Sequence, residues 1–134
     1  MTPTEIIHRY FDVWNGRDAS KLLAVFTEDG KYCNFHVHPG LAGEAIAEFV
    51  KAVWKAFPDL HIELLNGGEI EPGILATHWL LTGTHTGESP YGPPTGRSVS
   101  IKGASILQVR GDKIASDQTH FDRADFDEQI GWHP

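Results

Sequence analysis

ILATHWLLTGTHTGESPYGPPTGRSVSIKGASILQVRGDKIASDQTHF, residues 74–121, is the stretch that decides the fold. Ile74–His85 is a long run rich in Thr, Leu and Trp, the residues that suit a half-buried pleated surface. The segment Gly87–Gly96 carries Gly or Pro at six of its ten positions and reads as a turn-rich loop. Ser98–Val109 is the next strand. Gly111-Asp112 makes a tight turn, and Lys113–Phe121 pairs back. His61–Leu65 adds a short strand ahead of them. The second half of the chain is therefore an antiparallel meander.

Upstream, the sequence is helical. Thr2-Pro3-Thr4-Glu5 is a capping box with proline in the first turn. Ile6, Ile7, Tyr10, Phe11 and Trp14 then follow a helical stripe that ends at Asn15-Gly16. Asp18 caps a second, short helix through Phe26. Glu28-Asp29-Gly30 reads as a turn, and Lys31–Val37 as a short strand. A third helix follows Gly43, places Ile46, Phe49, Val50, Val53, Trp54 and Phe57 on one face, and stops at Pro58. Asp122–Gly131 reads as a short terminal helix. Helices followed by a meander define an α+β protein. A sheet covered by helices on one face must curl to close the core, and curling leaves room for a cone-shaped cavity.

Composition narrows the function. The chain has 134 residues, 40% of them hydrophobic, which is enough for one domain spanning 1–134 with a core that needs no disulfides. Cys33 is the single cysteine and has no internal partner for a bridge. Eleven basic against eighteen acidic residues give a net charge of −7, unsuited to nucleic-acid phosphates. No apolar run is long enough for a membrane span, and the N-terminus lacks the features of a signal peptide. These points predict a cytoplasmic protein without nucleic-acid or membrane partners. The outward face of long strands needs cover, which predicts a homodimer.

From Trp79 onward the chain resembles the SnoaL-like polyketide cyclases, or ester cyclases. Gly83-Thr84-His85-Thr86-Gly87 and Pro93-Pro94-Thr95-Gly96-Arg97 carry the resemblance most specifically. Gly111-Asp112-Lys113-Ile114, Asp122 and Gln129-Ile130-Gly131 continue it. Pro39-Gly40, Gly43 and Ala56-Phe57-Pro58-Asp59-Leu60 extend it upstream. The resemblance implies the nuclear-transport-factor-two-like cone, a curled antiparallel sheet wrapped around three N-terminal helices. It also implies chemistry without cofactor or metal on a hydrophobic carbonyl compound, typically an aldol ring closure. In ring-closing members a His and an Asp form the acid/base pair. The corresponding positions here are Ser105 and Thr119, so a different carboxylate must serve or the chemistry differs.

Strand alternation supplies one. If Thr119 points inward, Asp117 and Phe121 do too, whereas Ser116, Gln118 and His120 face out. A carboxylate in an aromatic cavity loses hydration, which raises its pKa toward the value a general base needs. Asp117 is the expected acid/base, unless a one-residue register slip turns it to solvent. Resemblance to the ketosteroid isomerases, more distant cone-fold proteins, places Tyr10 as the oxyanion hydroxyl, Asn34 at the base position and Ser105 at the second carboxylic acid. Trp14, Trp54, Phe57 and Trp79 are expected to hold a flat apolar substrate, although Trp54 and Phe57 read first as plain core. Asn34, His36, Leu81, Ser105, Leu107 and Thr119 complete the expected lining. His36-Val37-His38 has metal-pair spacing but no third ligand at a matching offset. His85 is expected to orient the following loop, and Ser89–Pro94 to lie at the cavity mouth. The functional expectation is a cyclase or isomerase binding a small polyketide- or steroid-like molecule. The alternatives are a cofactor-independent hydroxylase of polycyclic aromatics and a non-catalytic binder of an apolar ligand.

Overall fold

The structure is a computed structural model and describes residues 1–34, 40–90 and 92–132. Helix α1 spans Pro3–Gly16 and opens on the expected capping box, with the Thr2 hydroxyl and the Glu5 carboxylate each accepting the other's backbone N–H. Arg17 ends it in the left-handed region at φ 57°. Asp18 caps α2, Ala19–Ala24, which stops two residues before the expected Phe26. Helix α3 spans Glu44–Ala56 and α4 spans Arg123–Ile130, so a fourth helix joins the three N-terminal ones.

Strands β1 (Phe26–Cys33), β2 (Leu41–Ala42), β3 (His61–Glu71), β4 (Ile74–Thr84), β5 (Ser98–Arg110) and β6 (Lys113–Phe121) form one sheet in the order β2-β1-β6-β5-β4-β3. The sheet is curled but unclosed, with β2 and β3 as its edges. Strands β3 to β6 are the antiparallel meander, while β1 runs parallel to β6.

Two local readings are corrected. Glu28-Asp29-Gly30 is no turn: it lies inside β1, where pairing to β6 shifts between Phe26 and Lys31. An irregular segment of strand carries the same polar and glycine residues as a turn. Glycine is needed at position 30 because a Cβ would come within 2.9 Å of the Ile114 carbonyl oxygen. Likewise β3 runs six residues past the expected Leu65, through Asn66-Gly67-Gly68, with a register shift between Leu64 and Asn66. Cys33 is half-buried.

The core lies between the concave face of the sheet and the helices. Ile6, Ile7, Tyr10, Phe11 and Trp14 of α1 pack with Ile46, Val50 and Trp54 of α3 and with Leu75, Trp79, Leu107 and Ile114 of the sheet. Among the described residues no helix is long and apolar enough to cross a membrane.

Candidate active site

The concave side encloses a cavity of about 170 Å³. That is comparable to the roughly 150 Å³ space that holds a benzene ring in a well-studied engineered cavity. Its polar floor comes from three adjacent strands. Register pairs Tyr32 of β1 with Asp117 of β6, and Ser105 of β5 with Thr119 of β6. Alternation turns Asp117, Thr119 and Phe121 into the cavity together, as expected, and leaves Gln118 and His120 exposed on the other face.

Asp117 is 2% exposed. Its Oδ2 accepts the Tyr10 hydroxyl at 2.5 Å and its Oδ1 accepts the Thr119 hydroxyl at 2.8 Å. Ser105 Oγ lies 3.0 Å from Thr119 Oγ1 and accepts the Trp79 indole N–H at 3.0 Å. The direction of this chain follows from donor capacity. Trp79 can only donate, an ionised carboxylate can only accept, and the single Thr119 hydrogen goes to Asp117. The Ser105 hydrogen must therefore go to Thr119. Every link points toward Asp117.

Burial pushes the Asp117 pKa up from 3.8 to about 6, with the Tyr10 and Thr119 hydrogen bonds pulling the other way. No Lys, Arg or described His lines the cavity to supply a counter-charge. The Tyr10 hydroxyl is pushed well above its ordinary range by burial and by the neighbouring Asp117 charge. Burial also pushes Tyr32 up, again with a contribution from Asp117. Both phenols are thus protonated donors at neutral pH.

Aromatic side chains form the walls. Trp14 packs on Tyr32 at 6.1 Å between ring centroids, and Tyr32 on Phe49 at 5.3 Å. Trp79 meets Phe121 edge-on at 6.1 Å. Phe57, Phe126 and Trp132 line the far end, while Ser89 and Pro90 reach the lining from the loop after β4. That loop is pinned at its base. His85 is fully buried, its Nδ1 accepts the Thr95 backbone N–H at 3.3 Å, and the Thr95 hydroxyl lies 3.1 Å from the same nitrogen. Gly87 donates its N–H to the Ala56 carbonyl at the end of α3. This is the loop-orienting role expected of His85.

Of the expected site residues, Tyr10, Trp14, Asn34, Phe57, Trp79, Leu81, Ser105, Asp117 and Thr119 line the cavity. Two expected lining residues do not. Leu107 is fully buried in the core and out of the lining, although it shares the face of Ser105 and pairs with Asp117. Trp54 packs edge-on against Trp14 at 6.0 Å, behind the cavity wall rather than in it. His36, and with it the His36-His38 pair, lies outside the described residues. Among the described residues no group of three or more His, Cys, Asp or Glu is placed to hold a metal ion. Sequence reading missed Tyr32, Phe49, Val53 and Ile62. Strand alternation could have found Tyr32, since the expected strand Lys31–Val37 already holds it two residues before Asn34.

The curled sheet, the helices against its concave face and the buried carboxylate define a cone-fold protein with a ligand-sized cavity. Comparison then gives the family. The SnoaL-like polyketide cyclase family profile matches residues 4–130, and the chain belongs to that family. No functionally curated protein matches it. Solved structures share the fold at low sequence identity. AclR from Streptomyces galilaeus, a proposed hydroxylase, is 21% identical, with a TM-score of 0.82 over 98% of this chain and 86% of that one. A protein of ketosteroid isomerase-like fold from Catenulispora acidiphila, solved with trimethylamine, is 21% identical at TM-score 0.84, covering 100% of both chains. IdmH from Streptomyces antibioticus, a proposed polyketide cyclase, is 21% identical at TM-score 0.80, covering 98% of this chain and 99% of that one.

Proposed function

We propose that this protein is a cofactor-independent acid/base catalyst acting on a hydrophobic carbonyl compound. Asp117 takes a proton from the carbon next to the carbonyl. The C–H electron pair moves into the carbonyl to give an enolate, which then attacks a second carbonyl in an aldol closure or is reprotonated elsewhere as in an isomerisation. One observation carries the reading: a desolvated carboxylate faces the cavity without a cation, and burial brings its pKa to about 6. That value leaves it ionised at neutral pH yet far more basic than an ordinary carboxylate. Family membership and the proposed cyclase role of IdmH agree with it. The enclosed space suits a ring of about benzene size, so the remainder of a larger polyketide- or steroid-like molecule would extend toward Ser89 and Pro90. A homodimer formed through the outer sheet face belongs to the same reading.

The test is exchange of carbon-bound hydrogen. Acetophenone, whose methyl protons are acidic and whose single ring suits the cavity, is incubated with the protein in D2O and followed by NMR. Exchange above the buffer rate is expected from the native chain, falling to the buffer rate in Asp117→Asn. Equal exchange by both proteins would remove Asp117 as the base. A hydroxylase or a non-catalytic binder, the two competing readings of the cavity, predicts no exchange dependent on Asp117.

A further inference from the structure

We propose that Tyr32 donates the hydrogen bond that holds the substrate's carbonyl oxygen, with Asn34 positioning it, so that the compound bound presents its oxygen to β1 and the adjacent C–H to β6. This rests on the reading of Asp117 as the base. A census of hydroxyl hydrogens carries it. The Tyr10 hydrogen is committed to Asp117 at 2.5 Å, the Thr119 hydrogen to Asp117 at 2.8 Å, and the Ser105 hydrogen to Thr119 at 3.0 Å. The Trp79 N–H is committed to Ser105. None of these can turn to a ligand without breaking the chain that holds the carboxylate.

Tyr32 is different. Its oxygen accepts the Asn34 amide at 3.1 Å, which fixes the oxygen and leaves the hydrogen to be placed. Among the described residues no group accepts that hydrogen in hydrogen-bond geometry. The Thr119 hydroxyl lies alongside and, accepting only from Ser105, keeps a spare lone pair, but Tyr32 makes no bond to it in hydrogen-bond geometry. Tyr32 is 5% exposed and lines the cavity, so a ligand there meets its hydroxyl. Its hydrogen lies outside the chain that holds Asp117, so it can turn to a ligand's oxygen without loosening the carboxylate. Packing against Trp14 and Phe49 holds the ring in place.

Register supplies the geometry. Tyr32 and Asp117 are paired partners on neighbouring strands, so donor and base sit at one level of the cavity wall. A carbonyl oxygen at one and the α-hydrogen at the other is the arrangement enolisation requires. When the C–H bond breaks, Asp117 gains the proton, and the charge developing on oxygen meets the Tyr32 O–H. An O–H donor preorganised there is worth most as that charge grows.

The experiment uses acetophenone labelled with carbon-13 at the carbonyl and reads the bound carbonyl stretch by infrared difference spectroscopy. In the native protein the band should lie below its position in an aprotic solvent. Tyr32→Phe should abolish that displacement and slow methyl exchange by about 100-fold, whereas Tyr10→Phe should keep the displacement. A displacement retained in Tyr32→Phe, or lost only in Tyr10→Phe, would overturn the proposal. Native protein carrying carbon-13 at the tyrosine ring carbon that bears oxygen gives a measurement free of substitution: the Tyr32 signal should move on adding acetophenone, and an unmoved signal counts against it. The two readings fail separately. A Tyr32-dependent displacement without exchange in the native chain supports the donor and sinks the base. Exchange that survives Tyr32→Phe undiminished does the reverse. Failure of acetophenone to bind the native chain contradicts both.

Discussion

At Asp117 the same burial that prepares a base also works against the fold. The carboxyl titrates near 3.8 when solvated and at about 6 when folded. Between those values the native chain holds a proton that the unfolded chain has released, so stability falls as pH rises. The contribution is complete below about pH 4, is lost by about pH 7, and amounts to about 3 kcal/mol. Asp117→Asn has no such titration. Denaturant unfolding of both proteins across that range should show the variant gaining on the native chain toward neutrality; a constant difference would mean that Asp117 is not desolvated. Asp18, Asp29 and Asp59 have lowered pKa values and give the opposite slope, which is why the difference between the two proteins, not either profile alone, is the quantity to read. Asp117 was legible in the sequence because Lys113–Phe121 begins at an unmistakable Gly-Asp turn, which sets the alternation. The role of Tyr10 was only half legible. Helical spacing put it at the cavity, but that its hydrogen bonds the carboxylate depends on a contact 107 residues away along the chain.

Among elements, the loop after β4 and the terminal helix carry nearly half of the residues that resemble the family. Their work is architectural. Asp59 accepts the Thr84 backbone N–H and hydroxyl, His85 grips Thr95, and a Cβ at Gly87 would fall 1.7 Å from the Lys55 carbonyl oxygen. Gln129 binds both backbone groups of Ser100, docking α4 on β5, and Gly131 ends α4 at φ 82°. Motifs of this kind identify the scaffold and leave its chemistry open, so the fold was far more readable than the reaction. The wall between β4 and β5 shows a similar dependence on one glycine. Trp79 and Gly103 are paired, and the indole lies across Gly103 to reach Ser105, so an added Cβ would come within 2.3 Å of the ring. Gly103→Ala should therefore push the indole into the cavity, costing about 1–3 kcal/mol of stability and weakening acetophenone binding. Native-like melting and binding in that variant would show that the indole has another place to go.

For the whole molecule, an unclosed sheet leaves two edges and an outer face to manage. Ile70, 63% exposed, and Leu65, 37% exposed, are large apolar side chains left uncovered on β3. The homodimer proposal predicts a dimeric mass by sedimentation at micromolar concentration, and a monomeric mass there contradicts it. The curl of the sheet over the helices was legible as helices followed by a meander. The parallel pairing of β1 with β6 was not, because it joins segments far apart in the chain and leaves no periodic trace in either. That pairing is what sets Tyr32 beside Asp117, so the part of the site hardest to read from sequence is the part that long-range topology builds. The measurement that tests the central claim most directly is the pH profile of acetophenone methyl exchange by the native protein. A rate that climbs through a single ionisation at about 6 and then levels is the predicted result. A profile that turns near 4, the value of a solvated carboxylate, or one unchanged in Asp117→Asn, would contradict it.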